Sequence, residues 1–378
     1  MNEACIVSTR RTPIGIFLGS LARESAVDLA VHAGKATLGE FDRTQIDQVI
    51  IGNILSAGQG MNIARQIGVN LGLPITTPAF TVNMMCASGM QAIALAAQAI
   101  RAGDAKVVLC GGTESMSNAP HLMPRSRSGI KLGDGKLIDS ILQDGLVDSF
   151  DHKHMALTAE ALVSKYHISR EDQDAFAVES QRRYEAAHQA GIFADELAPL
   201  ENLAADEHPR ADTTAESLAK LNPAFDAFGS VTPGNASGIN DGAAMLLLAD
   251  RETAEANGWP IMAVIDETTS VGCDPKEMGL GPVHAVQKLA RSLEKFDAIE
   301  INEAFAAQVL ACLFEMKIGP ETINLNGGAI AMGHPVGASG ARLVAHLAWG
   351  IQRGEIETGL ATLCVGGGMG SAISLKKS

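Results

Sequence analysis

Residues 86–117 read "CASGMQAIALAAQAIRAGDAKVVLCGGTESMS", and residues 337–372 read "GASGARLVAHLAWGIQRGEIETGLATLCVGGGMGSA". Both pass from Ala-Ser-Gly into a helical stretch, stop at a glycine, and resume as an apolar strand that carries a cysteine before paired glycines. Ala87, Ser88, Gly89 and Gly103 answer Ala338, Ser339, Gly340 and Gly354, and Cys110 answers Cys364 after a short insertion. Chance likeness between two glycine-rich turns would not bring a matching helix and strand with it. The chain therefore reads as two similar halves, meeting near Pro260 and stacked about a pseudo-twofold axis.

Working outward from the repeat, strand and helix signals alternate. "EACIVST", "QVIIGNIL", "FTVNMM" and "KVVLCGG" read as strands; "AVDLAVHAGKATL", "NIARQIGVNLGL" and the stretch after Cys86 read as helices. That alternation predicts α/β layers with parallel pairing. Val82–Ile100 carries no charge and nearly reaches the length of a membrane span, but Asn83, Ser88, Gln91 and Gln98 interrupt it, so it reads as a loop and a helix buried between two layers of protein. Between Thr113 and Asn222 charges, His and Met crowd in. This reads as an insertion lying on the core, with an exposed helix over "SREDQDAFAVESQRRYEAAHQAG" capped by Ser169. "AAMLLLA" then restores a buried strand.

The 378 residues allow two core units or more, and only 19% are charged, which favours a large buried core, an oligomer, or both. A net charge of −14 and 4% aromatic residues argue against nucleic acid as a partner, since there is neither a basic face nor a set of stacking platforms. Six cysteines lie scattered, without a C-x-x-C pair, which speaks against zinc and for reduced thiols in the cytoplasm. The opening "MNEACIVSTRRTPIG" lacks the apolar run of a signal peptide, "LKKS" is no peroxisomal address, and no membrane association is expected.

Four places carry chemical weight: Cys86, "INEAF" at 301–305, "AMGHPVGASGAR" at 331–342 and "LCVGGGMGSA" at 363–372. A nucleophilic cysteine needs a base. His334 lies in a Gly-Pro loop just before a helix, held by backbone rather than packed in a core. Cys86 stands at the start of a helix, a position that favours thiolate, and the small Ala87, Ser88 and Gly89 leave room for an acyl group. Taken singly, each of these residues has a bland alternative as packing, cap or hydrogen-bonding residue; their combination in this order does not.

With "VNMMCASGM", "GNASGINDGAA", "NEAF", "GGAIAMGHPVGASGAR" and "CVGGGMGSA" in view, the sequence resembles the thiolases over essentially its whole length, most closely the short-chain biosynthetic type. The resemblance implies a thiolase fold: a duplicated five-layer αβαβα core with an inserted loop domain. The first half would comprise 1–114 and 223–258, the insertion 115–222, and the second half 259–378. It further implies condensation of two acetyl-CoA to acetoacetyl-CoA, reversible by thiolysis, through an acetyl-cysteine. Cys86 would carry the acetyl group and His334 would activate it. Cys364 would exchange the α-proton, and Asn302 would hold a water that forms an oxyanion hole with His334. The backbone N–H groups of Cys86 and Gly366 would form a second hole.

The resemblance implies no prosthetic group and no metal, with coenzyme A thioesters as substrates. Their contacts are expected at Leu146, His154, Met155, Arg210, Ser217, Leu221 and Phe225 on and beside the insertion. Ser237, Met278 and Phe305 would lie nearer the thiol end. "RSRSGIKLGDGK" resembles the loop that joins dimers into a homotetramer. The motifs are not matched throughout: His284 stands where Pro is usual, Pro233 where Ala is common, and Met84 and Met85 replace commoner neighbours of the nucleophile. The alternatives are a degradative 3-ketoacyl-CoA thiolase of broader chain length, a non-catalytic carrier of the same fold, and a cysteine peptidase. The last explains neither the second cysteine nor the repeat.

Overall fold

A computed structural model describes residues 2–289 and 292–378. The principal strands are β1 (Ala4–Arg11), β2 (Gln48–Gly52), β3 (Ala79–Val82), β4 (Val107–Ser115), β5 (Asn240–Asp250), β6 (Ala263–Gly272), β7 (Ala298–Ile301), β8 (Thr358–Val365) and β9 (Met369–Lys376). The principal helices are α1 (Ala26–Leu38), α2 (Ile63–Asn70), α3 (Ser88–Ala102), α4 (Met155–Tyr166), α5 (Arg170–Gln189), α6 (Gly281–Lys288), α7 (Ala306–Met316) and α8 (Ser339–Gln352).

The first half orders its strands β1-β5-β4-β2-β3 and the second β6-β9-β8-β7, the same sequence of neighbours without the last. The two sheets touch edge to edge through β1 and β6, where only Cys5 pairs with Val264 and Ile6 with Ala263. The repeat read from residues 86–117 and 337–372 is thus a duplication of architecture.

Side-chain alternation along each strand builds the layers. Val107 and Leu109 of β4 and Met245 and Leu247 of β5 face α1 and α2 in one core. Val108, Cys110, Leu246 and Leu248 point the other way, into a core shared with α3, α8 and second-half residues Leu363, Val365 and Ile373. Leu360 and Ala372 face α6 and α7 in a third core. The order is α1/α2, sheet, α3/α8, sheet, α6/α7: the expected αβαβα arrangement. Helices α3 and α8 sit between two sheets and are apolar nearly all round, which is why Val82–Ile100 reads like a membrane segment. Gly103, at φ +81°, ends α3 as its sequence position predicts.

The pairing departs from the all-parallel expectation. β2, β3 and β4 are mutually parallel, as are β7 and β8, but β5 runs antiparallel to both β1 and β4. The reason lies in the connections. Helical crossovers bring β2, β3 and β4 back in one direction. By contrast, β9 follows β8 through the tight turn 366–368 and must run antiparallel to it; in the first half the whole segment 116–239 stands in that turn's place.

That segment carries α4 and α5, which pack on α7. Ser169 caps α5 by accepting the Asp172 N–H, and the Glu303 carboxylate accepts from Ser180 Oγ at 2.7 Å, tying α5 to the second half. The two ends of the chain lie together: Arg251 pairs with Glu3 and donates to Ser378 Oγ at 2.8 Å. No described helix is long and apolar enough to cross a membrane.

Candidate active site

The Cys86 loop is Asn83–Ala87, between β3 and α3. Ser88 Oγ donates to the Met85 carbonyl at 2.6 Å and accepts the Met84 N–H at 2.9 Å, while Asn83 Oδ1 accepts the Met85 N–H at 3.0 Å. These bonds hold Met85 at φ +47°, a left-handed conformation that a non-glycine residue adopts only when its surroundings impose it. The turn presents the Cys86 sulfur to the neighbourhood of the Gly366 and Cys86 backbone N–H groups, which favour its charged form.

The His334 loop docks directly on this turn. The His334 N–H donates to Asn240 Oδ1 of β5 at 2.9 Å. Gly337 O approaches Gly112 and Gly89 so closely that a Cβ added there would stand 2.1 and 2.8 Å from it. Side chains at these two positions would push the loop away, so the glycines are a condition of the approach. Glu114, buried at the end of β4, accepts the Ile54 and Leu55 N–H groups at 3.0 and 3.1 Å and bonds to the Gly337 N–H, clamping both loops.

On the second-half side, Asn302 follows β7 and is fully buried. Its Nδ2 lies 3.4 Å from His334 Nε2, and its Oδ1 has no hydrogen-bond partner among the described residues. Cys364 sits near the end of β8, just before the glycine turn that carries Gly366.

These loops enclose a cavity of about 270 Å³. Of the sequence-predicted residues, Cys86, His334, Cys364, Gly366, Leu146, His154, Met155, Phe225, Ser237, Met278 and Phe305 line it. His154 stacks on Phe225 with centroids 4.3 Å apart, and its Nδ1 accepts the Ala156 N–H at the start of α4, so Nε2 is left as the donor. Asn302 lies behind the wall, reaching His334. Arg210, Ser217 and Leu221 do not reach the cavity: all three are exposed, and Ser217 is engaged with Thr214 in a local cap. Sequence reasoning missed Met116, Leu142, Ile239 and Val336 as wall residues, because an apolar side chain on a wall looks the same in sequence as one in a core. It also missed Ser339 of "GASGAR", whose hydroxyl lies 2.6 Å from His334 Nδ1.

The electrostatics revise one expectation. Burial pushes the Cys86 thiol up to about 11, outweighing the two N–H donors at its sulfur. The helix start alone does not yield a thiolate. Burial, aided by the Arg342 charge, lowers His334 to about 4, so its imidazole is neutral and able to accept a proton. Burial also holds Cys364 well above an ordinary thiol, with the neighbouring Cys86 the next cause. Burial lowers His154 as well. Among the described residues no cluster of His, Cys, Asp or Glu is arranged to hold a metal ion.

A duplicated αβαβα core with two cysteines and a histidine around one cavity defines a class, and the family comparison agrees with it. Residues 4–252 match the thiolase N-terminal domain and 259–377 the thiolase C-terminal domain; the chain belongs to the thiolase family of enzymes. It is 47% identical to the acetyl-CoA acetyltransferase of Pseudomonas aeruginosa, with all of both chains covered, and 45% identical to a probable acetyl-CoA acetyltransferase of Escherichia coli, again over all of both. Its structure is similar to that of human mitochondrial 3-ketoacyl-CoA thiolase in complex with CoA. The TM-score there is 0.97 at 42% identity, covering 100% of this chain and 98% of the other. The acetyl-CoA acetyltransferase of Bacillus anthracis gives 0.96 at 40%, covering 100% and 99%.

Proposed function

We propose that this chain is an acetyl-CoA C-acetyltransferase, condensing two acetyl-CoA to acetoacetyl-CoA and coenzyme A and reversing the reaction by thiolysis. The observation that carries the reading is the meeting of Cys86, His334 and Cys364 on one cavity. The relatives at 44–47% identity, named acetyl-CoA acetyltransferases, favour this over a degradative thiolase of broader chain length.

The neutral His334 takes the Cys86 proton, and the thiolate attacks the acetyl-CoA carbonyl. The oxyanion is met by the Cys86 and Gly366 N–H groups, which lie near the sulfur and favour negative charge there. Coenzyme A leaves as the thiol with the Cys364 proton, which leaves a Cys364 thiolate facing a His334 imidazolium. That thiolate removes the α-proton of the second acetyl-CoA. The enolate oxygen is met by the imidazolium and by a water on Asn302, whose partnerless buried Oδ1 suits that role. Attack of the enolate on acetyl-Cys86 releases the Cys86 thiolate, which recovers its proton from His334.

Leu146, His154, Met155, Phe225, Ser237, Met278 and Phe305 take the pantetheine arm, with His154 Nε2–H as donor and the stacked Phe225 as wall. Arg210, Ser217 and Leu221 sit on the exposed side, where the charged nucleotide end of the coenzyme would lie. The segment 115–222 is the coenzyme-binding insertion between the halves 1–114 with 223–258 and 259–378. The enzyme works in the cytoplasm as a homotetramer, with neither nucleic acid nor membrane as partner and no prosthetic group.

Mass spectrometry after mixing with acetoacetyl-CoA tests the assignment. The parent protein should gain an acetyl or acetoacetyl group on Cys86, and Cys86→Ser should fold but gain nothing. An adduct mapped to another cysteine would refute it. Thiolysis of acetoacetyl-CoA against a longer 3-ketoacyl-CoA separates the two substrate readings.

A further inference from the structure

Ser88 and Ser339 occupy the same place in the two copies of the repeat, each as the first residue of a buried helix. Ser88 secures the turn before the nucleophile. Ser339 has a different partner: its Oγ lies 2.6 Å from His334 Nδ1 and 3.0 Å from the Pro335 carbonyl, with serine and histidine both buried. A hydroxyl has one proton to give, and a carbonyl can only accept. With that proton on the Pro335 carbonyl, Ser339 Oγ accepts from Nδ1–H. The far side of the ring agrees: the Asn302 amide nitrogen, a donor, faces His334 Nε2 at 3.4 Å, so a proton on Nε2 would set two donors against each other.

We infer that Ser339 is a positioning residue that fixes His334 as the Nδ1–H tautomer and leaves the Nε2 lone pair for the Cys86 proton. This rests on the reading of His334 as the base for Cys86. It gives the duplication a chemical use: one copy of the serine braces the nucleophile and the other braces its base. Which ring nitrogen of a histidine carries the proton is set by the bond that the other makes. Ser339→Ala leaves Nδ1 buried without its acceptor, so the ring loses both its preferred tautomer and its orientation.

The experiment has three arms on the full-length protein. In the first, long-range proton–nitrogen NMR of histidine-labelled protein reads the tautomer, the His334 signals being those missing from His334→Asn; a protonated Nδ1 and a bare Nε2 are expected. In the second, alkylation of Cys86 by iodoacetamide is timed. Ser339→Ala should slow it by about 10- to 100-fold, part of the roughly 10²–10⁴-fold that a general base supplies. In the third, kcat should fall in parallel with KM for acetyl-CoA unchanged, and Ser339→Thr, which keeps the hydroxyl, should recover most of the loss. A proton on Nε2 in the parent overturns the proposal. So do parent rates in Ser339→Ala when His334→Asn is slow. Parent rates in His334→Asn overturn the base reading itself. Should Ser339→Ala fail to fold, the parent spectrum and Ser339→Thr decide.

Discussion

A half-buried thiol, a buried thiol and a buried imidazole, all neutral at rest, make a site in which no group is reactive by itself. Cys86 near 11 and His334 near 4 both follow mainly from burial, so in the proposed mechanism proton transfer between them is uphill unless a thioester consumes the thiolate. The roles proposed for the two thiols separate experimentally. Cys364→Ala should still exchange acetyl groups between acetyl-CoA and Cys86, more slowly because the departing coenzyme A loses its proton donor, yet fail to wash deuterium from solvent into the acetyl methyl group. Cys86→Ala should fail at acetyl exchange. Proton NMR of acetyl-CoA in deuterated water reads the washing-in, and transfer of the acetyl group to isotopically labelled coenzyme A reads the exchange; undiminished washing-in by Cys364→Ala would return the α-proton to His334. The same burial shapes the stability profile. His334 and His208 both lie near 4, His208 through burial and then the Arg210 charge, against 6.5 for a free imidazole. Between those values the unfolded chain binds protons that the folded chain does not. Each group's contribution is therefore complete above pH 6.5 and is lost as pH falls to 4, at up to about 1.4 kcal/mol per pH unit per group. His346 runs the other way: burial lowers it, but Glu196 outweighs burial and raises it, so its contribution weakens as pH rises. His208→Asn should flatten the acid limb of Tm measured from pH 4 to 7, and an unchanged limb would remove His208 from the account.

At the scale of elements, the catalytic geometry is a matter of loops pressed together at the starts of α3 and α8. Gly112→Ala puts a Cβ 2.1 Å from Gly337 O and must displace the His334 loop. Misplacement by about 1 Å can cost roughly 10²-fold in rate. We expect near-normal circular dichroism with acyl-enzyme formation slowed by about that factor, measured by rapid-quench mass spectrometry. A truncation inside α3 acts differently: Ile93→Ala opens the middle layer and should cost about 2–5 kcal/mol of stability. The elements themselves were legible because apolar runs, caps and glycine stops are local; Ser169, Gly103 and the strand at 107–115 all stand where their residues put them. The sheet directions were not. β5 turns antiparallel because of what connects it to β4, and connection is a long-range property. The residues proposed as catalytic were legible only as a set of motifs, since no spacing along the chain announces that residues 86, 302, 334 and 364 converge. Ser339 carries no signal of its own in the sequence, since a serine at a helix start reads as a cap.

For the whole molecule, exposed apolar side chains gather on the segment after β4. Leu132 is 97%, Leu137 68% and Ile130 48% exposed. On a monomer such a cluster is a liability; as a contact between dimers it has a use. Light scattering should give about 158 kDa, four chains of 39.4 kDa, and replacement of residues 127–136 by a short linker should halve it. A stable monomer at micromolar concentration would refute both.

The meeting of Glu3, Arg251 and Ser378 has a further consequence. With Glu3 and Ser378 held on one arginine, a short joint can link residues 2 and 378, and the order of the two copies becomes open to test. The stretch at 257–260 between the copies, exposed at 257, 258 and 260, offers a place to open the chain. A gene rewritten to start at Pro260, with a short glycine-serine joint between Ser378 and Asn2, should yield a protein that folds, binds and turns over like the parent. Failure of that rearranged gene to give an active protein would mean that folding depends on which copy leaves the ribosome first.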